Sequence, residues 1–176
     1  ISTVADATAK VKVNGTTVAS GNASGNIALA VGANTITTIV TAQDNSTKTY
    51  TVTVTRLSND ADLSALSLSA GTLNPVFSAA TIGYTASVPN TTTGITITPT
   101  ADDPTATVKV NGTTVASGNA SGNIALAVGS NTITTIVTAQ DNSTKTYTVT
   151  VTRAASANAN LSALSLTAGA LVPAFG

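Results

Sequence analysis

Two stretches of this chain are almost the same text. Val11 to Arg56 recurs as Val108 to Arg153, and of 46 aligned positions only Ala33, which becomes Ser130, differs. The offset is 97 residues, about the length of one small all-β domain. A second repeat extends the pattern: LSALSLSAG at Leu63–Gly71 returns as LSALSLTAG at Leu161–Gly169, offset by 98, with the extra residue in the linker after Arg153. A fixed period of this size predicts a tandem array of folded modules. The copies agree at surface Thr and Asn as well as at core Val and Ile, the mark of a recent duplication.

The repeats divide the chain into three parts: 1–56, the C-terminal part of a first β-sandwich repeat; 62–153, a complete repeat; and 160–176, the N-terminal strands of a third. The chain is therefore expected to open inside one module and stop inside another. Strand signals dominate, and no 3.6-residue periodicity persists. In LSALSLS, Leu66 and Leu68 share a face. Pro75 in TLNPVF argues for an edge or a bulge. YTASV puts Tyr84, Ala86 and Val88 on one side, and ITITPT puts Ile95 and Ile97 inward. TVKVNGTTVAS reads as a hairpin turning at Asn111-Gly112, a pair that tolerates positive φ at both positions. NIALAVG aligns Ile124, Leu126 and Val128. In TITTIVTA, Ile133 and Val137 fit one face while Ile136 falls on the other, which predicts a bulge or an exposed Ile. KTYTVTVTR alternates strictly, with Tyr147, Val149 and Val151 inward. Seven to nine short strands with frequent turns predict an all-β fold of tandem immunoglobulin-like antiparallel β-sandwich modules. The short polar linkers RLSNDADLS and RAASANANLS predict an extended arrangement with limited contact between modules.

The composition suits such an array. Charged residues make up 8% of the chain, against roughly 25% in an average globular protein. Thr, Ser, Asn and Gly take their place at the surface. The seven cationic side chains balance seven Asp, so no basic stripe exists for nucleic acid. IALAV, the longest clean apolar run, is far too short to span a bilayer, so no membrane insertion is expected in this segment. Cys, His, Met and Trp are absent. Together with the Thr/Asn/Gly surface, this points to an extracellular or cell-surface protein.

The residues Leu63, Leu66, Leu68 and Gly71, then Pro75 and Phe77, then Tyr84, the Asn111-Gly112 hairpin and the strand Lys145 to Arg153 carry a recognisable pattern. It resembles the cadherin-like β-sandwich domain found in tandem repeats of bacterial secreted and cell-surface proteins. The resemblance covers the whole chain. It implies tandem arrays and no catalytic residues.

Chemistry has few places to reside. Without His or Cys, Ser-His and Cys-His nucleophile systems cannot form, so no enzyme activity is expected. Asp102 and Asp103 are neighbours before Pro104 in a turn, not a pair across a cleft. Calcium would suit oxygen ligands from Asp60 and Asp62 in the first linker, with Asp102 and Asp103 as weaker candidates. The matching positions of the second linker hold Asn158 and Asn160, which removes both charges, so no cofactor is expected and calcium is the minor alternative. Seven Asn-x-Ser/Thr sequons, at Asn14, Asn22, Asn45, Asn90, Asn111, Asn119 and Asn142, mark possible glycosylation sites. The row Thr51, Thr53 and Thr55 and its copies would line one sheet face, but a twisted sandwich is a poor flat template for ice. Scarce aromatics disfavour sugar binding. Lys109 and Lys145 are candidates for a Lys-Asn isopeptide bond only by type, and Lys109, between Val108 and Val110, points away from the core.

The function expected is therefore structural: a spacer in a long extracellular surface protein, adhesin stalk or fibre, its partners being neighbouring copies of the repeat. One alternative is a filament subunit in which identical chains complete each other by β-strand addition. The other is a calcium- or glycan-binding surface module.

Overall fold

The computed structural model describes residues 1–169. All its regular elements are strands. They gather around two separate apolar clusters, one within residues 1–56 and one within residues 61–151.

The second unit is a complete two-layer sandwich of nine strands: β5 (Leu63–Leu68), β6 (Gly83–Val88), β7 (Gly94–Ile95), β8 (Ile97–Ala101), β9 (Thr107–Val110), β10 (Thr113–Val115), β11 (Ile124–Ala125), β12 (Gly129–Thr138) and β13 (Thr144–Arg153). One layer is a five-stranded sheet in the order β10-β9-β12-β13-β6, and the pairs β5-β8 and β7-β11 form the other. Tyr147, Val149 and Val151 of β13 and Ile133 and Val137 of β12 face Leu63, Leu66, Ile95 and Ile97 across the core, all buried. Period-two alternation produces this directly, because successive side chains leave opposite faces of a strand. The hairpin at Asn111-Gly112 forms as expected, with φ of 46° and 82°, and Asn111 Oδ1 accepts the N–H of Thr134 at 2.9 Å.

The structure departs from the sequence pattern in several places. The sheet is not wholly antiparallel, because β6 pairs in parallel with β13, Tyr84 opposite Val149. The pairing of β5 with β8 shifts register between Leu63 and Ala65. That bulge turns Leu63 inward with Leu66 and leaves Leu68 half-buried. The run β12 has no bulge: its ladder with β13 is continuous, Ile136 is half-buried on the outer face, and Thr135 takes the core position between Ile133 and Val137. Strand β11 ends at Ala125, so Leu126 is buried while Val128 is exposed.

The first unit holds β1 (Lys10–Val13), β2 (Thr16–Val18), β3 (Gly32–Thr41) and β4 (Thr47–Arg56), in the order β2-β1-β3-β4. This sheet repeats β10-β9-β12-β13 strand for strand. Its small buried cluster is Val11, Val13 and Val18. Among the described residues, no strand takes the place of β6 beside β4. Nor, among the described residues, does a counterpart of β5 lie over this sheet's inner face, and Tyr50 is 50% exposed where Tyr147 is 0%, and Val52 58% where Val149 is 0%.

Residues Leu161–Gly169, expected as an opening strand, form no strand here. Their parent, β5, is held by β8 and by the core beneath it, and residues 161–169 have neither. The remainder of the expected third repeat, 170–176, lies outside the described residues.

Candidate functional site

The chemistry of the molecule is concentrated where the linker enters the second unit. The Lys145 ammonium donates to Asp62 Oδ1 at 2.6 Å and to the Ala79 carbonyl at 2.8 Å, and it stands 5.4 Å from the Tyr147 ring centroid. Asp62, accepting that hydrogen bond, holds the ammonium above the ordinary lysine range. Beneath it the Tyr147 hydroxyl accepts the N–H of Leu63 at 3.0 Å and donates to Ala79 O at 3.1 Å. Strict alternation in β13 puts Tyr147 in the core, and Lys145, two residues earlier, follows the same face out to its rim.

The linker itself is a chain of nested turns. Asp60 N–H donates to Ser58 Oγ and Asp62 N–H to Asp60 Oδ1. Short polar side chains capture the backbone two residues on, the mechanism of Asx- and ST-turns. Ser58, buried, is gripped from both sides: its N–H donates to Gln140 Oε1 at 3.2 Å and its carbonyl accepts the N–H of Asp141 at 3.0 Å. Ser143 Oγ donates to the carbonyl of Asn59, and Asp102 N–H to that of Asp62. Five residues of the linker, 58–62, are thereby built into the second unit. The sequence signal for this was the Ser-x-Asp-x-Asp spacing. The second linker repeats it as Ser-x-Asn-x-Asn, where Asn158 N–H donates to Ser156 Oγ at 3.1 Å and Asn160 N–H to Asn158 Oδ1 at 2.9 Å.

A family model described as "Cadherin-like beta sandwich domain" matches this chain twice, over residues 1–57 and 63–154. The chain belongs to this family. The two cadherin-like matches coincide with the two repeated units. A protein of Evansella cellulosilytica named "Putative membrane protein" is 47% identical over 87 residues, covering 49% of this chain and 13% of that relative. The chain thus spans about an eighth of that relative's length. Among solved structures, the fibronectin(III)-like modules of Clostridium thermocellum CbhA align over 84% of this chain and 79% of theirs, at 14% identity and a TM-score of 0.28. Cadherin-like domains are typically non-catalytic modules and are usually extracellular. No helix among the described residues is long and apolar enough to cross a membrane.

In the cadherin-like units three of the four acids singled out in the sequence make local contacts through their side chains. Asp62 is paired with Lys145 and Asp60 caps a turn. Asp103 accepts from the N–H and the hydroxyl of Thr105, both at 2.7 Å. Hydrogen bonding from Ser58, and then from Thr105, lowers its carboxyl below the aspartate range. Asp102 lies beside them on the same turn, exposed. Of the sequons, Asn14, Asn22, Asn45, Asn111, Asn119 and Asn142 are exposed. Asn90 is half-buried, with its amide donating to Ala154 O at 3.0 Å. A surface cavity of about 430 Å³ beside the Asn111 hairpin is lined by Thr114, Asn119, Ile124 and neighbours, with no ionisable side chain.

Proposed function

We propose that these cadherin-like units are spacer modules of a long extracellular surface protein, a stalk or fibre of the adhesin type. One observation carries this reading: the turn geometry of the first linker recurs in the second. The first linker is anchored to the unit that follows it by Ser58, Asn59 and Asp62. A linker that belongs structurally to the next unit leaves only Leu57 between the end of β4 and the first anchored residue, which suits a stalk. No hydrogen bond among the described residues joins 1–56 directly to 63–153. Stability resides in each complete sandwich, as repeat arrays need.

Small-angle scattering extrapolated to infinite dilution tests this. A compact chain of this size has a radius of gyration of about 16 Å. Two units in line give a clearly larger value and an elongated distance distribution. A value near the compact limit sinks the spacer reading. Repeating the measurement with a chelator and with calcium addresses the metal alternative: a spacer held by its own hydrogen bonds gives the same curve in both.

A further inference from the structure

The chain enters the second unit at one end and leaves it at the other. Leu63, the first residue of β5, meets Tyr147 near the start of β13. Gly71, just past β5, lies against Ser87 and Val88, and Val88 stands opposite Arg153, the last residue of β13. Strands β5, β6 and β13 therefore run the same way. Tension carried through the chain draws Leu57 and Ala154 apart along the direction of these strands.

The entry segment meets that tension first. It lies beside the start of β13 with partners in rising order on both sides. Ser58 bonds to Gln140 and Asp141 at 3.2 and 3.0 Å. The Asn59 carbonyl accepts the Ser143 hydroxyl at 3.2 Å. Asp62 pairs with Lys145 at 2.6 Å, and Leu63 N–H donates to the Tyr147 hydroxyl at 3.0 Å. Two segments that run in parallel, one drawn by its first residue and the other by its last, slide past each other. Contacts between sliding segments share the force and give together, whereas peeling breaks them one at a time. The exit is fastened as well. Ala154 N–H donates to Val88 O at 3.0 Å, and the Arg153 guanidinium donates to the carbonyls of Asn90 and Leu126, both at 2.9 Å. Between entry and exit, β13 is paired with β12 along all ten of its residues and with β6 on its other side.

We propose that the complete unit bears tension: force passes in shear from residues 58–63 to residues 140–147, runs along the covalent backbone of β13, and leaves at Arg153. Strand β5 and the core beneath it are loaded only after the entry contacts give. The inference rests on the spacer reading for the source of the tension, while the strand geometry stands independently of it.

Single-molecule force spectroscopy on the full chain tests this. The protein has no Cys, so paired substitutions give unique attachment points. Leu57→Cys with Ala154→Cys loads the entry contacts in shear. Thr114→Cys with Ser87→Cys, both at exposed positions on the two edge strands β10 and β6, pulls across the sheet and bypasses those contacts. At one loading rate the unfolding force is expected to be at least about twofold higher along the strands than across them, because forced unfolding follows the barrier in the pulled direction. Asp62→Asn removes the ion pair; it raises the forced unfolding rate by about fivefold along the strands and leaves the crosswise rate unchanged. Val149→Ala loosens the core without touching the entry contacts, so it shifts both directions alike. Equal forces in the two directions overturn the proposal. A lengthwise force lowered by Val149→Ala and unmoved by Asp62→Asn also overturns it, and places the barrier in the core. A compact scattering curve sinks the spacer reading without altering this result, because only one unit is pulled.

Discussion

The backbone N–H of Leu63 donates to the hydroxyl of Tyr147 at 3.0 Å, across 84 positions of the chain. The bond ties the first strand of the complete sandwich to its last. In the first unit, Tyr50 occupies the place of Tyr147 with no such donor. Two residues with identical sequence neighbours thus hold different roles, one a buried clasp and the other half-exposed.

Tyr147→Phe removes the hydroxyl and leaves the buried N–H of Leu63 unpaired. The expected loss is about 1–3 kcal/mol of second-unit stability. Tyr50→Phe in dilute chain changes stability by less than about 0.5 kcal/mol. Urea titrations of the two variants check the contrast.

Val149→Ala deletes two methyl groups from a site with no solvent exposure. Transfer and cavity contributions together predict a cost of about 2 kcal/mol. Val52→Ala, the same change in the same local sequence at an exposed site, costs less than about 0.5 kcal/mol. Equal effects at both positions would show that something covers the first unit in solution.

Thr135 is fully buried and its Oγ1 has no hydrogen-bond partner. Thr135→Val keeps the shape and removes the unpaired hydroxyl. It is expected to stabilise the second unit by about 1 kcal/mol. A lower melting temperature in the variant would contradict this.

Lys145 titrates above its ordinary value of 10.5, chiefly because of Asp62. Its contribution is therefore complete below the unfolded-chain value and is lost as pH rises through the folded one. The difference in melting temperature between the parent chain and Asp62→Asn should be constant through neutral pH and shrink above 10.5. The carboxyls of Asp103 and Asp141 are lowered from 3.8 by hydrogen bonds, first from Ser58 and Ser143 respectively. Their contribution holds above that value and is lost as pH falls below it. Calorimetric melts at both extremes give the two windows.

Much of the β architecture was readable because it rests on period two. The strand ending in TYTVTVTR could face only one way, with Tyr147, Val149 and Val151 inward, and the Asn-Gly pair could hardly be anything other than a hairpin turn. What escaped was decided between distant segments. Alternation puts Thr135 on the face of Ile133 and Val137, but only the second layer packed over that face makes the position fully buried. Val128 continues an apolar alternation and is exposed, because β11 ends three residues earlier. The parallel pairing of β6 with β13 has no local signature, since it depends on which edge of the sheet is left free. The linker acids were candidates for a metal by residue type. Their spacing caps turns and brings Asp62 to Lys145.

The sequence alone determined the repeat, the strand alternation and the turn chemistry, because these are properties of a residue and its near neighbours. The tertiary structure decided whether a given residue is core or surface. Burial is a relation between segments: the 46-residue text has one substitution between its copies, and yet Tyr147 is buried while Tyr50 is half-exposed, because β5 and β6 cover only one of them.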